Sequence, residues 1–207
     1  MSRGQRLLLV AVAALALAVV LTLTVWEPSD GADDLPSAVI GDAMSFSLRS
    51  TEGPVQLSDF RGDVVLVYFG YTACPDVCPT SLAAITAGLD RLTAAERERV
   101  TVVFISVDPA RDTPTRLTEY AGFFAPEVLG VTGTAAEVKV VADHFGVFYR
   151  RRELPGSAGG YAMDHTALTY VVDPVGKLAA RLDHGAPADV IAAAIRRQLE
   201  PPPKDLL

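Results

Sequence analysis

Two cysteines stand four residues apart in the segment VVLVYFGYTACPDVCPTS, residues 64–81, and they are the only cysteines of the chain. An apolar, β-rich stretch over residues 64–69 precedes Cys74 and Cys78, and a helical pattern follows them. On one helical turn, residues at i and i+4 are rotated by only about 40° and displaced by about 6 Å, so both sulfurs would point the same way. That Cα separation also suits a disulfide, which spans about 4.4–6.8 Å. The pair is therefore suited to hold one metal ion or to close on itself.

The position of this pair at the start of a helix favours reactive thiols. Free N–H groups at a helix N-terminus stabilise negative charge, so we expect one thiol to have a lowered pKa. Thiolates bind soft metals and attack disulfides. An inert structural disulfide is the alternative, but so short a loop would add little chain-entropy stabilisation.

A histidine can complete a metal site with these thiols. His165 lies before an apolar strand pattern over residues 167–172, and it would reach the cysteines if that strand lay beside residues 64–69. Two thiolates and one imidazole form a soft, low-coordinate site that suits Cu(I) and can also hold Cu(II), whereas structural zinc usually has four ligands. The other histidines, His144 in a helical pattern and His184 in a polar turn, are not expected to be ligands.

Acidic residues near the candidate ligands could support the site. A carboxylate at Asp164 could orient the imidazole of His165 or balance the charge of a metal, with a loop cap as the alternative. Asp76, between the cysteines, is a second candidate, or simply an acid favoured in the first turn of a helix. Asp108 and Arg111 are expected to form a loop ion pair near the site.

The N-terminal part of the chain has the pattern of a membrane anchor. Arg3 and Arg6 precede an uncharged stretch over residues 7–26, and 20 residues are long enough for the roughly 30 Å hydrocarbon core. The arginines predict a cytoplasmic N-terminus, and so a single-pass plasma-membrane protein with an extracytoplasmic domain. A cleaved signal peptide is the alternative, but its apolar stretch is usually about 7–15 residues long.

The remaining chain is predicted to form one domain. With 207 residues and 50% hydrophobic content there is room for a full α/β core. The net charge of −7 and the lack of a basic stripe argue against a nucleic-acid partner. The predicted organisation is a cytoplasmic N-terminus (1–6), an anchor (7–26), a linker (27–37), a domain (38–199) and a tail (200–207).

Strand and helix patterns alternate along this domain and end in a hairpin. That order predicts an α/β fold, a thioredoxin-like three-layer sandwich with a central mixed, partly parallel sheet. A polar, glycine-containing loop is expected over residues 151–162. The β patterns cover residues 45–49, 64–69, 100–107, 128–131, 167–172 and 177–182. One helical pattern follows the cysteines and extends to about residue 92, and three others cover about 114–124, 134–145 and 187–199.

Three segments in this order resemble the Sco/SenC family of copper-binding, thioredoxin-fold proteins involved in assembling cytochrome c oxidase. They are FRGDVVLVYFGYTACPDVCPTSL (60–82), FISVDPARDTP (104–114) and YAMDHTALTYVVDPVGKL (161–178). The resemblance extends over residues 38–198, and it implies copper bound by Cys74, Cys78 and His165. It further implies delivery of copper to, or thiol reduction at, the binuclear copper centre of oxidase subunit II. Other copper chaperones or thioredoxin-like reductants would be further partners, and the lack of a long Arg- and Ser-rich transit sequence favours a bacterial protein.

Three functions are consistent with these residues. A metallochaperone, which is not an enzyme, would use both cysteines and His165. A thiol–disulfide oxidoreductase needs an exposed acidic thiol and a resolving thiol, but not His165. A peroxiredoxin-like peroxidase is suggested by Val77-Cys78-Pro79-Thr80, although Pro75 replaces the threonine expected three residues before the cysteine.

Overall fold

The computed structural model describes residues 3–5, 40–156 and 159–200. The predicted anchor (7–26) and linker (27–37) lie outside these residues, as do residues 201–207 of the predicted tail. None of the helices in the described part of the chain is long and apolar enough to cross a membrane.

Nine strands and five α-helices alternate along the described domain. In chain order they are β1 (Ser47–Ser50), β2 (Gly53–Gln56), β3 (Val64–Gly70), α1 (Val77–Leu89), α2 (Ala94–Arg97), β4 (Val100–Ser106), α3 (Pro114–Gly122), β5 (Val128–Val131), α4 (Ala135–Phe145), β6 (Tyr149–Glu153), β7 (Tyr161–His165), β8 (Thr169–Val172), β9 (Leu178–Leu182) and α5 (Ala188–Leu199), with a 3-10 helix at Leu57–Phe60.

The central sheet has five strands in the order β5-β4-β3-β8-β9. Strand β3 pairs in parallel with β4 and antiparallel with β8, and β4 pairs in parallel with β5. Every residue of β3 is buried, which explains its continuous apolar sequence, since a strand covered on both faces needs no polar alternation. The predicted mixed, partly parallel sheet is therefore confirmed, and His165 does lie close to the β3–β8 pair.

Helices cover both faces of this sheet. On one face Tyr68 of β3 stacks on Phe104 of β4, and Phe104 contacts Tyr120 of α3, with ring centroids 6.3 and 5.4 Å apart. On the other face Phe69 packs edge-on against Phe145 of α4 at 5.4 Å. The fold therefore has the three layers of a thioredoxin-like sandwich.

The helix starts follow local capping signals. Thr134 and Glu137 have the spacing that predicts a capping box, and the structure forms it at the start of α4: Thr134 accepts a hydrogen bond from the Glu137 backbone, and the Glu137 side chain accepts one from the Thr134 N–H. Helix α3 is capped by Thr113, with Pro114 at its first position. The same box, from Thr93 and Glu96, begins the short helix α2, which the sequence reading missed.

Two segments differ from the sequence predictions. Residues 151–153 and 161–162 of the loop expected over residues 151–162 lie in an antiparallel pair of strands, β6 and β7, in which Tyr149 pairs with His165. The sequence predicts only a short extended piece over residues 146–150 here, because four of the five residues of β6 are exposed and give no apolar alternation. The sequence Thr-Glu-Gly-Pro also predicts a turn over residues 51–54, and the turn in the structure is shorter, because β2 already begins at Gly53 and pairs with β1.

Candidate metal centre

Three side chains converge at the end of β3 nearest α1. The ligand atoms of Cys74, Cys78 and His165 all lie within 4.8 Å of one another. The Cys78 Sγ lies 3.4 Å from the imidazole Nε2. Metal–sulfur and metal–nitrogen bonds of about 2.0–2.3 Å would fit one ion among three atoms so spaced.

The two cysteines are held by different parts of the strand–helix connection. Cys78 lies in the first turn of α1 and is 0% exposed, while Cys74 precedes the helix and is partly exposed. The Cys78 backbone N–H donates to the Cys74 Sγ at 3.4 Å. The Cys74 sulfur therefore satisfies a free N–H of the helix start, the role an oxygen plays in an ordinary N-cap.

Gly70 lets the strand approach the buried sulfur. A Cβ at this position would lie 2.8 Å from the Cys78 Sγ and 2.7 Å from the Phe104 ring. Both distances are below van der Waals contact, so a side chain here would displace the sulfur or the strand. The glycine that ends β3 is thus a packing requirement of the site.

The two thiols have opposite pKa shifts. A hydrogen bond from the Cys78 thiol, assisted by His165 and by the backbone N–H groups of Asp76 and Cys78, lowers the pKa of Cys74 to about 3 against the opposing effect of burial. The pKa of Cys78 is raised, because it donates to the Cys74 thiolate and because it is buried. The predicted acidic thiol is therefore Cys74.

This asymmetry predicts selective alkylation of the reduced, metal-free protein. We expect iodoacetamide to modify Cys74 first, at a rate that is flat from pH 5 to 8, because the thiolate is already fully formed above its pKa of about 3. An ordinary cysteine, with a pKa of about 8.5, would instead react faster as the pH rises through this range. Mass spectrometry of quenched samples measures both rates. Modification of Cys78 first, or the same rate in a Cys74→Ser variant, would contradict the assignment.

His165 is the last residue of β7, and its ring is fixed on three sides. Its Nδ1 lies 3.1 Å from the Thr166 carbonyl oxygen, which can only accept, so Nδ1 donates to this oxygen and Nε2 is the nitrogen that faces the cysteines. The rings of Tyr68 and Tyr71 stand edge-on to the imidazole at 6.3 and 6.0 Å. The histidine is therefore oriented for binding a metal through Nε2.

The two acidic residues proposed to support the site form hydrogen bonds with other side chains. Asp164 lies on the opposite face of β7 from His165, because neighbouring residues of a strand alternate in direction. Its carboxylate accepts from Arg150 at 3.1 Å and from Arg152 at 3.0 Å, and these guanidiniums lower its pKa. Its hydrogen bonds thus go to these two arginines rather than to the imidazole, and a role in balancing the charge of a metal stays a prediction. Asp76 precedes α1, and its carboxylate accepts from the Thr80 hydroxyl at 3.3 Å.

The other two histidines have partners of their own. His144 Nε2 lies 3.1 Å from the Ala43 carbonyl oxygen, and His184 Nδ1 lies 2.8 Å from the Ser81 hydroxyl. Among the described residues, neither histidine belongs to the group of ligand atoms that converge with the cysteines.

A buried carboxylate that the sequence reading assigned no site role holds the segment before Cys74. Asp112 is 1% exposed and accepts from the Thr72 N–H at 2.9 Å and the Thr72 hydroxyl at 2.5 Å. It also accepts from Ser106 at the end of β4, at 2.6 Å. The pattern Asp-Thr-Pro over residues 112–114 predicts a helix capped by Asp112 or by Thr113, and in the structure Thr113 is the cap.

The fold and these side chains together define a thioredoxin-like domain with a thiolate–imidazole metal centre. A model of the SCO1/SenC family matches residues 38–200. The chain therefore belongs to this family, whose members are copper-binding proteins of cytochrome oxidase assembly.

Individual relatives agree with this assignment. An SCO2-like protein of Rickettsia conorii is 41% identical over 133 residues, which are 64% of this chain and 64% of that protein, so the match spans less than two thirds of the relative. The solution structure of apo Sco1 from Thermus thermophilus is 39% identical, with a TM-score of 0.70, and covers 78% of this chain and 94% of that one. The structure of Bradyrhizobium japonicum ScoI with copper bound is 36% identical, with a TM-score of 0.68, and covers 78% and 100%. A homologous structure thus holds copper, and the prediction of copper as the metal is confirmed.

Proposed function

We propose that this protein is a copper chaperone that carries one copper ion on Cys74, Cys78 and His165 and delivers it to the copper-A centre of cytochrome c oxidase subunit II. The observation that carries the proposal is the convergence of these three ligand atoms within 4.8 Å. Residues 7–26 would anchor the chain in a bacterial plasma membrane, with the domain on the extracytoplasmic side.

The donor set suits a cargo rather than a permanent metal. Two thiolates favour Cu(I), and the imidazole adds a ligand that Cu(II) also accepts. Three protein ligands leave room for a group of the recipient to join before the first protein ligand leaves. Cys74 is the partly exposed ligand and Cys78 the buried one, so exchange would begin at Cys74.

A second function, thiol–disulfide reduction of the recipient's copper-site cysteines, is favoured by the asymmetric thiols. The Cys74 thiolate would attack a recipient disulfide and form a mixed disulfide, releasing one recipient thiolate. Cys78 would then give its proton to the released recipient thiolate and attack the Cys74 sulfur. That step releases the second recipient thiolate and leaves a Cys74–Cys78 disulfide, so two electrons pass to the recipient. His165 forms no covalent bond in this sequence and only assists the lowered pKa of Cys74, to which the hydrogen bond from Cys78 contributes most.

A His165→Ala variant separates the two functions. In cells that lack the native protein, we expect the variant to fail to restore a copper-loaded oxidase, because delivery needs the imidazole. In vitro, the variant should not pass copper to a soluble, reduced subunit II domain, as judged by the copper content of the separated proteins. His144→Ala, a histidine outside the site, is the matched control and should behave as the native protein. Full oxidase assembly with His165→Ala would instead support reduction as the function.

A further inference from the structure

The histidine of the site is carried by a hairpin outside the central sheet. Among the described residues, strands β6 and β7 pair only with each other, forming a separate two-stranded sheet, while the cysteines are held between β3 and α1. Besides the ring contacts of the imidazole with Tyr68 and Tyr71, the distance from His165 to the cysteines therefore depends on the side chains that tie this hairpin to the rest of the domain.

One arginine makes the principal tie to the start of β7. The Arg111 Nη1 donates to the Tyr161 carbonyl at 3.1 Å and to the Gly159 carbonyl at 3.3 Å. Its guanidinium lies over the Tyr161 ring, 3.6 Å from the centroid, and is ion-paired with Asp108. The Tyr161 hydroxyl closes the group by donating to Asp108 at 2.8 Å. We call Asp108, Arg111 and Tyr161 the clasp.

The clasp is also connected to the segment that carries the first cysteine. The Asp108 N–H donates to the Ser106 hydroxyl at 3.0 Å, and Ser106 donates to the buried carboxylate of Asp112. Asp112 in turn accepts from Thr72, two residues before Cys74. One hydrogen-bonded chain thus joins the hairpin to the thiol segment.

Tyr161 and His165 lie on the same face of β7. Residues four apart in a strand share a face, so fixing the Tyr161 side chain fixes the face that presents the imidazole. Arg111 also lies 5.7 Å from the centroid of the Tyr71 ring, which stands edge-on to His165. The opposite face of the hairpin carries Arg152, whose partner is Asp164.

We propose that Arg111, through the clasp with Asp108 and Tyr161, is the positioning residue that holds His165 over the two cysteines and thereby tunes the site for Cu(II). This inference rests on the proposed function. Cu(I) is satisfied by soft thiolates, whereas Cu(II) gains more from the imidazole. Loosening the clasp therefore weakens binding of Cu(II) more than binding of Cu(I), and an unclasped hairpin would leave a two-thiolate Cu(I) site ready for exchange.

The test compares Arg111→Ala with Arg152→Ala in the full chain, by competition titration with Cu(II) and Cu(I). We expect Arg111→Ala to lower the Cu(II) affinity by about 10–100-fold, the usual cost of losing a residue that orients a metal ligand, with a smaller change for Cu(I). The sulfur-to-Cu(II) absorption band should also shift. Arg152→Ala, an equal truncation on the far face of the same hairpin, should match the native protein. Tyr161→Phe loses only the hydroxyl bond to Asp108. It should change the Cu(II) affinity and the absorption band in the same direction as Arg111→Ala, but by less.

A second readout needs no metal. In the reduced apo protein, amide hydrogen exchange across β7 should be faster in Arg111→Ala than in Arg152→Ala. Native Cu(II) affinity and native exchange in Arg111→Ala would overturn the proposal, as would equal losses for Cu(I) and Cu(II) with an unchanged absorption band. If the native protein bound no copper at all, the proposed function would fail, while the exchange comparison would still decide whether the clasp holds the hairpin.

Discussion

Replacing both cysteines, Cys74→Ser with Cys78→Ser, should reduce copper binding to below detection. A serine hydroxyl stays protonated at neutral pH and is a hard oxygen donor, so the double variant offers copper one imidazole in place of a soft three-ligand set. The fold should survive, since serine is slightly smaller than cysteine and the sheet around it is unchanged. Copper per protein after desalting, together with the visible spectrum of the Cu(II) form, measures the loss.

The composition of the chain makes this experiment decisive. There are two cysteines in the whole sequence, so a sulfur-to-Cu(II) charge-transfer band in the native protein has no other thiolate source. Each single variant serves as an intermediate, retaining one thiolate and His165. One equivalent of copper held by the double variant as tightly as by the native protein would show that the metal binds elsewhere.

Much of the fold follows from local patterns because the strongest signals coincide with the buried elements. The seven residues of β3 are fully buried and read as a continuous apolar stretch, and β5 begins and ends at the residues that its pattern indicated. Helix α4 begins at its capping box. These features depend on residues that are close together in the sequence, so local sequence patterns are sufficient to predict them.

The parts that the sequence reading missed depend on distant partners. Strand β6 is a run of charged residues, and its conformation comes from pairing with β7 rather than from an apolar period. Asp112 resembles a helix cap, because Asp-Thr-Pro is a helix-start pattern, but its partners Thr72 and Ser106 lie 40 and 6 residues away. The candidate ligands were found because their chemistry is rare, whereas the residues that hold them are of common types.

The second large effect is expected from Asp112→Ala. The carboxylate accepts three hydrogen bonds from buried or partly buried groups, and alanine would leave the Thr72 N–H and the Ser106 hydroxyl without this partner. Each buried donor left unsatisfied costs about 1–3 kcal/mol, so we expect the free energy of unfolding to fall by on the order of 3–5 kcal/mol. Urea denaturation of the reduced apo protein measures this loss.

Asp112→Asn is the matched control, because it separates the hydrogen bonds from the charge. The amide oxygen can still accept from the Thr72 N–H and from Ser106, and the amide nitrogen can donate to the Thr72 hydroxyl. We therefore expect the asparagine variant to lose much less stability than the alanine variant and to keep copper binding. The alanine variant frees the segment before Cys74 and therefore binds copper more weakly. Equal unfolding free energies for the two variants would mean that the bonds to Thr72 and Ser106 contribute little. The thiol segment would then have to be held by the packing of Tyr71 and by the first turn of α1.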